Sequence, residues 1–357
     1  MESSIDNRGN QDKYYKSFQK NISHTTIRIS QQKTVVDIKP VVECVKRIVV
    51  CDEITCIQDL IRLSEKYPID DSIEYTNVRI KSLHKIVPYL TKLDEMIGLD
   101  SLKKSLVDQI IYYLHPIDKV NDYKHTIISG PPGTGKTEIA KLIGSIFSQL
   151  CVFGNGPVKF RQVSRSDLVA GFLGQTAIKT KEVIASCLGG VLFIDEAYSL
   201  GNANKQDAYS KECIDTLCDA MSFHKENLMV IIAGYESELN DCFFAHNQGL
   251  KSRFAWKFCI DSYNADEISR IFLTKLTNCS ISSRDMSKWF SSRMHHFTSF
   301  GRDVDTFVSK IKIAHARRTF CKAGNDSITM EDIELGYEKV CLSYPPPPKK
   351  TEFSFYS

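Results

Sequence analysis

Two stretches of the chain hold residue types that can do phosphate chemistry. Gly130-Pro131-Pro132-Gly133-Thr134-Gly135-Lys136-Thr137 follows the apolar run His125–Ser129 and precedes a helical segment from Glu138 to Gly144. The spacing is that of a phosphate loop, G-x-x-x-x-G-K-[ST]. Gly130, Gly133 and Gly135 let the backbone curl with its N–H groups facing inward, where side chains would collide with an anion. A helix beginning near Lys136 would aim its free N–H groups at the same point. Lys136 is expected on the β- and γ-phosphates of ATP, and the Thr137 hydroxyl on Mg2+. Further along, Val191-Leu192-Phe193-Ile194 ends in Asp195-Glu196. Four apolar residues predict a buried strand, and carboxylates at its C-terminal end fall where open α/β sheets bind ligands. Asp195 is expected to hold Mg2+ through water, and Glu196 to orient and polarise the water that attacks the γ-phosphate. The pair of motifs points to a Mg2+-dependent nucleotide hydrolase.

These residues need a scaffold, and the sequence supplies one. From His125 to Tyr263, β-rich runs alternate with helical stretches: 125–129, 158–164, 190–196, 228–235 and 256–261. That alternation predicts a parallel sheet sandwiched by helices. Residues 83–263 are therefore expected to form an α/β nucleotide-binding domain, opened by a helical stretch around the turn Ile97-Gly98-Leu99. From 264 to 343 the periodicity is helical only, which predicts a helical lid domain, with Thr329 to Asp332 as the capped start of its last helix. Residues 33–82 read as a small N-terminal domain or extension, with strand-like runs at Thr34–Ile38 and Arg47–Cys51. A helix over Cys56–Lys66 follows, with Ile57, Leu60, Ile61 and Leu63 on one face. Residues 1–32 read as a flexible polar arm and 344–357 as a Pro-rich tail.

Composition excludes several classes. The chain has 357 residues, 42% hydrophobic and 25% charged, which is ordinary for globular protein. Lys and Arg number 46 against 43 Asp and Glu, so no global charge favours nucleic acid or an anionic membrane. Twelve cysteines are scattered from Cys44 to Cys341 without a C-x-x-C or a zinc-like Cys/His set, as expected for reduced thiols inside a cell. The polar N-terminus has no signal-like apolar stretch, and no window reaches about 18 apolar residues. A soluble intracellular protein is expected.

Several longer stretches resemble one branch of the AAA+ ATPases. They are Leu93–Leu99, the phosphate loop, Arg165–Thr180, Gly189–Leu200, Ile232–Tyr235 and Asn247–Phe254. The branch includes red-type rubisco activase (CbbX, also called CfxQ) and the stage V sporulation K-like ATPases, and the chain is similar to versions encoded by large DNA viruses. The likeness runs over roughly residues 90 to 318. It implies an AAA+ P-loop fold and a self-assembled ring, usually a hexamer, with ATP between subunits. It also implies remodelling of a protein client, in a host cytoplasm if the source is viral. Arg253 falls at the arginine-finger position, supplied to the neighbouring subunit's γ-phosphate. Arg302 resembles the second sensor of the lid, although the usual G-N-A-R run is shortened here. Ile97 and Gly98 resemble the segment lining the adenine pocket, and Phe172-Leu173-Gly174 a central-pore loop that grips a threaded chain. The first-sensor position holds Gly234-Tyr235 instead of the Asn or Thr of many relatives outside the branch.

Two other readings compete. A replication or clamp-loading ATPase would carry a basic strip along the pore loops, but Phe172 to Ala177 is uncharged. A scaffold that only binds ATP would not need both Glu196 and Arg253. The N-terminal region outside the likeness and the shortened lid motif point to a client other than rubisco. His295-His296 lack a third metal ligand and read as helix-surface residues, and Ala316-Arg317-Arg318 as a solvated helix face.

Overall fold

The computed structural model describes residues 46–117, 122–150, 159–172, 174–201, 207–276, 283–321 and 327–342. By contacts the chain divides into residues 1–44, which lie outside the described set, and one unit formed by the rest. The expected arm, the run Thr34–Ile38 and the Pro-rich tail also fall outside it.

Five parallel strands make the central sheet, in the order β4-β5-β6-β3-β7. They are β3 (Thr126–Ser129), β4 (Phe160–Val163), β5 (Gly190–Ile194), β6 (Leu228–Gly234) and β7 (Trp256–Cys259), each inside an expected run. β5 and β6 are apolar and buried along their whole length because both faces are covered. Val191, Phe193, Met229 and Ile231 face one hydrophobic cluster. Leu192, Ile194, Val230 and Ile232 face the other, as a period of two requires.

The first cluster is closed by α1 (Ile57–Lys66), α2 (Ile80–Glu95), α3 (Asp100–Leu114) and α4 (Lys136–Gln149). α2 buries Ile80, Leu83, Ile86, Leu90 and Leu93 at helical spacing. Because Ile80 belongs to that stripe, α2 starts three residues before the boundary expected at 82/83 and runs across it. A short parallel pair, β1 (Lys46–Ile48) with β2 (Ile73–Tyr75), precedes it. β2 was not apparent in the sequence, since three half-polar residues give no pattern. The second cluster is closed by α5 (Gln175–Cys187) and α6 (Ala208–Phe223).

Beyond β7 the numbered elements are helices: α7 (Ala265–Lys275), α8 (Ser283–Ser291), α9 (Gly301–Thr319) and α10 (Met330–Cys341). Their interior is aromatic. Trp289 stacks on Phe307 at 5.3 Å and 7°, and Phe272 lies on Phe307 at 5.3 Å. Two expectations are corrected here. Arg318 is not on a solvated face: its guanidinium grips the fully buried Asp332 through two bonds of 2.8 Å. Asp332 also accepts from the Thr329 backbone N–H, so one carboxylate caps α10 and ties it to α9. His295 and His296 sit on a 3₁₀ turn, where His296 Nδ1 meets the Tyr337 hydroxyl at 2.7 Å.

His125 locks the sheet from inside. It is fully buried, its Nδ1 accepting from Val230 N at 3.0 Å and its Nε2 meeting the Met221 carbonyl at 3.3 Å. Burial pushes its imidazole down to about 4. The unfolded chain, at about 6.5, takes the proton first. The neutral ring therefore contributes its full stability above about pH 6.5, and that share is lost as pH falls toward 4. Between pH 7 and 4.5 this group should remove about 2–3 kcal/mol of unfolding free energy. His125→Gln should be less stable at pH 7 yet lose less on acidification. Urea unfolding across that range measures both slopes, and parallel slopes would refute the assignment.

Candidate functional site

The phosphate loop leaves β3 and enters α4 within seven residues, and its glycines are shaped by their surroundings. Gly133 and Gly135 have φ of +71° and +86°, the left-handed region that suits glycine. A Cβ on Gly130 would come within 2.8 Å of Ile260, and one on Gly133 within 1.8 Å of the Ser299 carbonyl oxygen. Thr134 is buried, its hydroxyl donating to Pro131 O at 2.9 Å. The loop thus folds around its own backbone, with the N-terminus of α4 as an anion site.

A cleft of about 420 Å³ opens above it, lined by Pro132, Gly133, Gly135, Lys136, Thr137, Asp195, Glu196 and Arg302. Lys136 Nζ donates to Gly130 O at 3.0 Å and Pro131 O at 2.7 Å. Burial lowers its pKa, and the nearby Asp195 opposes that shift. Thr137 Oγ1 donates to Asp195 Oδ2 at 2.9 Å. A hydroxyl and a carboxylate in contact are hard oxygen donors suited to Mg2+, which binds one or two protein oxygens and completes its shell with water and phosphate. The donor set fits that ion. Glu196 is exposed on a left-handed backbone (φ 49°) directly after Asp195, with its carboxylate at the cleft.

Other expected residues sit elsewhere. Ile97 and Gly98 do not line this cleft. Gly98, at φ +68°, lies against Tyr263 and Glu267 on the flank where the Tyr263 hydroxyl reaches Thr134 O at 3.3 Å. Arg253 is in a separate groove with Ile184, Leu188, Asp219, Ala220 and Phe223. Its Nε donates to Ser222 Oγ at 2.6 Å and its Nη1 to Gly249 O at 2.5 Å. Phe172 is 71% exposed, so it is not a core aromatic. Gly171 and Gly174 beside it have open space around them. The foot of that loop is pinned, Thr176 Oγ1 accepting from Ala170 N at 3.1 Å. Leu173 lies outside the described residues.

Sequence reasoning gave no role at the cleft to Tyr198, Lys275 or Asp305, and named Tyr235 only as the occupant of the first-sensor position. Tyr198 and Tyr235 line the cleft as a stacked pair, 5.6 Å apart. Lys275 and Asp305 form an ion pair at its rim, brought in from α7 and α9. Nothing local marks the lid pair, whereas Tyr235 occupies the first-sensor position, a phenol where relatives outside the branch have Asn or Thr. Arg165 was also overlooked. It bonds Ser199 O at 2.8 Å and pairs with Asp207 at 2.5 Å, holding the turn after Glu196 against α6.

Comparison with known proteins agrees with this geometry. The profile of the ATPase family associated with various cellular activities (AAA) matches residues 126–254. A putative CfxQ-like protein of Acanthamoeba polyphaga mimivirus is 33% identical over 296 residues, covering 80% of this chain and 72% of its own. The plasmid CbxX protein of Cupriavidus necator is 34% identical over 256 residues, covering 67% of this chain and 79% of its own. The ESX-1 secretion system protein EccA1 of Mycolicibacterium smegmatis is 37% identical over 228 residues, a match to 61% of this chain and 39% of that longer protein. The FIGL-1 AAA domain, solved in complex with ADP, superposes with a TM-score of 0.52 at 19% identity, over 71% of this chain and 85% of its own, a likeness of fold. The chain belongs to the CfxQ/CbxX-like AAA+ ATPases and is an ATP-hydrolysing P-loop enzyme.

Lys136 and Glu196 should separate binding from turnover. Lys136→Ala removes a charged donor at the phosphate and should weaken ATP binding by about 3 kcal/mol, on the order of a hundredfold. Glu196→Gln keeps the cleft's shape and should bind ATP while losing hydrolysis. Titration with a fluorescent ATP analogue beside a phosphate-release assay measures both. Loss of ATP affinity in the Glu196 variant would contradict the division.

Proposed function

We propose that this ATPase assembles into a ring, a hexamer, that hydrolyses Mg2+-bound ATP between subunits and spends the energy on remodelling a protein client. Within one subunit, Lys136 and the loop N–H groups clamp phosphate, Glu196 orients the attacking water, and Arg302 reaches the phosphates from the lid. Thr137 and Asp195 hold Mg2+, which neutralises phosphate charge when bound. Ile97 and Gly98 border the base.

The observation that carries the reading is the place of Arg253. Its guanidinium is tied to Ser222 and Gly249 in a groove apart from its own phosphate loop. A finger that stabilises γ-phosphate charge adds several powers of ten in rate, about 10³–10⁵. From that groove it can serve only a neighbour's nucleotide, which makes the ring a condition of turnover. Phe172 supports a protein client: an exposed ring on an open glycine-flanked loop offers burial worth about 1–3 kcal/mol to an apolar segment, with no charge to favour nucleic acid.

Arg253→Ala should bind ATP nearly normally and lose most hydrolysis. Mixing it with Lys136→Ala subunits should restore part of the activity, because an intact finger can then face an intact phosphate loop. Strictly additive activity across the mixing series, with subunit exchange demonstrated, would count against action in trans.

Phe172→Ala should keep its melting point and substantial basal ATPase activity. Chemical crosslinking of client polypeptide to the variant should fall relative to the parent chain. If the variant instead unfolds at ordinary temperature, the ring is structural and the grip assignment fails.

A further inference from the structure

The wall of the cleft facing the phosphate loop is aromatic. Tyr198 and Tyr235 stack with their planes 25° apart. Both are half-buried and both line the cleft, whereas the packing aromatics Phe193 and Phe243 of the same domain are fully buried. The Lys136 ammonium sits 5.2 Å from the centroid of the Tyr235 ring. A cation over a tyrosine face is held by the ring's quadrupole and uses no N–H donor on it, while Nζ donates to Gly130 O and Pro131 O.

The stack is built into the backbone. A Cβ on Gly234 would lie 2.9 Å from Tyr198 Cδ1 and 3.1 Å from Leu239, so the pair closes only over a bare residue. Tyr198 stands on a turn fixed at several points. Ser199 N donates to Glu196 O at 2.8 Å, Gly201 N to Tyr198 O at 3.1 Å, and Arg165 Nη1 to Ser199 O at 2.8 Å. That turn holds Glu196 in its left-handed conformation, a strained state for a residue with a side chain, and one that persists where the surroundings over-determine it. Glu196 and Tyr198 stand two residues apart on this turn and both line the cleft, and burial, with the charge of that carboxylate added, pushes the phenol up to about 12. At neutral pH the hydroxyl is therefore a donor.

We propose that Tyr198 and Tyr235 act as one positioning unit, in which the Tyr235 ring sets the Lys136 ammonium and the Tyr198 hydroxyl orients the Glu196 carboxylate toward the attacking water. The proposal rests on the reading of Lys136 as phosphate clamp and Glu196 as water activator. It fills the position at the end of β6 where no Asn or Thr is available. Because the two rings touch, a displacement of Lys136 by phosphate is passed through the stack to Glu196.

The test uses the full chain and reads kcat, the KM for ATP, and the Kd of a fluorescent ATP analogue, with melting curves alongside. Tyr198→Phe keeps the stack and removes the donor, so kcat should fall by about tenfold or more while Kd stays within about twofold. Tyr235→Leu should raise Kd about fivefold, and Tyr235→Phe should restore most of that loss. Gly234→Ala, which crowds Tyr198 without touching Lys136 or Glu196, should lower kcat on its own. If the leucine variant melts below the assay temperature, Tyr235→Met replaces it in the Kd measurement. Undiminished kcat in Tyr198→Phe beside an inactive Glu196→Gln overturns the proposal alone. Full turnover by Glu196→Gln overturns the underlying reading and the Tyr198 role with it. Equal Kd for Tyr235→Leu and the parent chain overturns the Lys136 half.

Discussion

Gly133 is the point where the phosphate loop touches the lid, and the site takes its form from that contact. The Ser299 carbonyl stands where a side chain on Gly133 would have to go, and Gly301 N donates to Gly133 O at 3.1 Å. One residue further, the Tyr263 hydroxyl meets Thr134 O, and Tyr263 packs edge-on against Phe300 at 5.8 Å. The first turn of α9, which carries Arg302, is therefore docked on the loop by backbone and not by exchangeable side chains. A phosphate that re-aims the loop's N–H groups must move that turn as well. The loop and the start of α9 thus share one backbone contact.

A lid coupled in this way has to be stiff, and its interior explains how it is. Trp289, Phe290, Phe297 and Phe307 contact one another at ring separations of 5.0–6.4 Å, and Arg293 covers Trp289 from outside at 4.5 Å. The buried Asp332 joins α9 to α10 through Arg318. Removing Arg318 would leave the buried Asp332 carboxylate without its main counter-charge, which is strongly destabilising, so the pair fixes one arrangement of the two helices.

The strands and the phosphate loop were legible because each obeys a local rule. β5 and β6 are runs of apolar residues too short for helices, and the glycines of the loop are dictated by φ and by space. What escaped the sequence depends on residues distant along the chain. β2 is visible only as the partner of β1. Arg318 reads as surface until Asp332 is seen to use the same carboxylate for cap and ion pair. Lys275 and Asp305 reach the cleft only because Gly133 docks the lid. Tyr198 and Tyr235 carry aromatic rings, which read as packing, and only their stack at the cleft mouth marks them as anything else. Arg253 is the converse case: its motif is legible, but its separation from its own phosphate loop is not.

That separation has an energetic consequence for the proposed ring. On the proposed reading, a single subunit owns a clamp, a water-orienting carboxylate and a lid arginine, while its finger serves a neighbour's γ-phosphate. The missing term is the larger one: an arginine finger is worth about 10³–10⁵ in rate, whereas one buried phenyl ring holds a client by about 1–3 kcal/mol, on the order of 5- to 150-fold. Timing would then be set by subunit geometry, and the grip at Phe172 would stay weak enough to release at each cycle. A much stronger grip would bind the client without moving it, and a finger supplied within the subunit would burn ATP without regard to the ring. In the proposed ring, the exposed Phe172 and the Arg253 in its separate groove would be the arrangement a motor needs and a static scaffold does not.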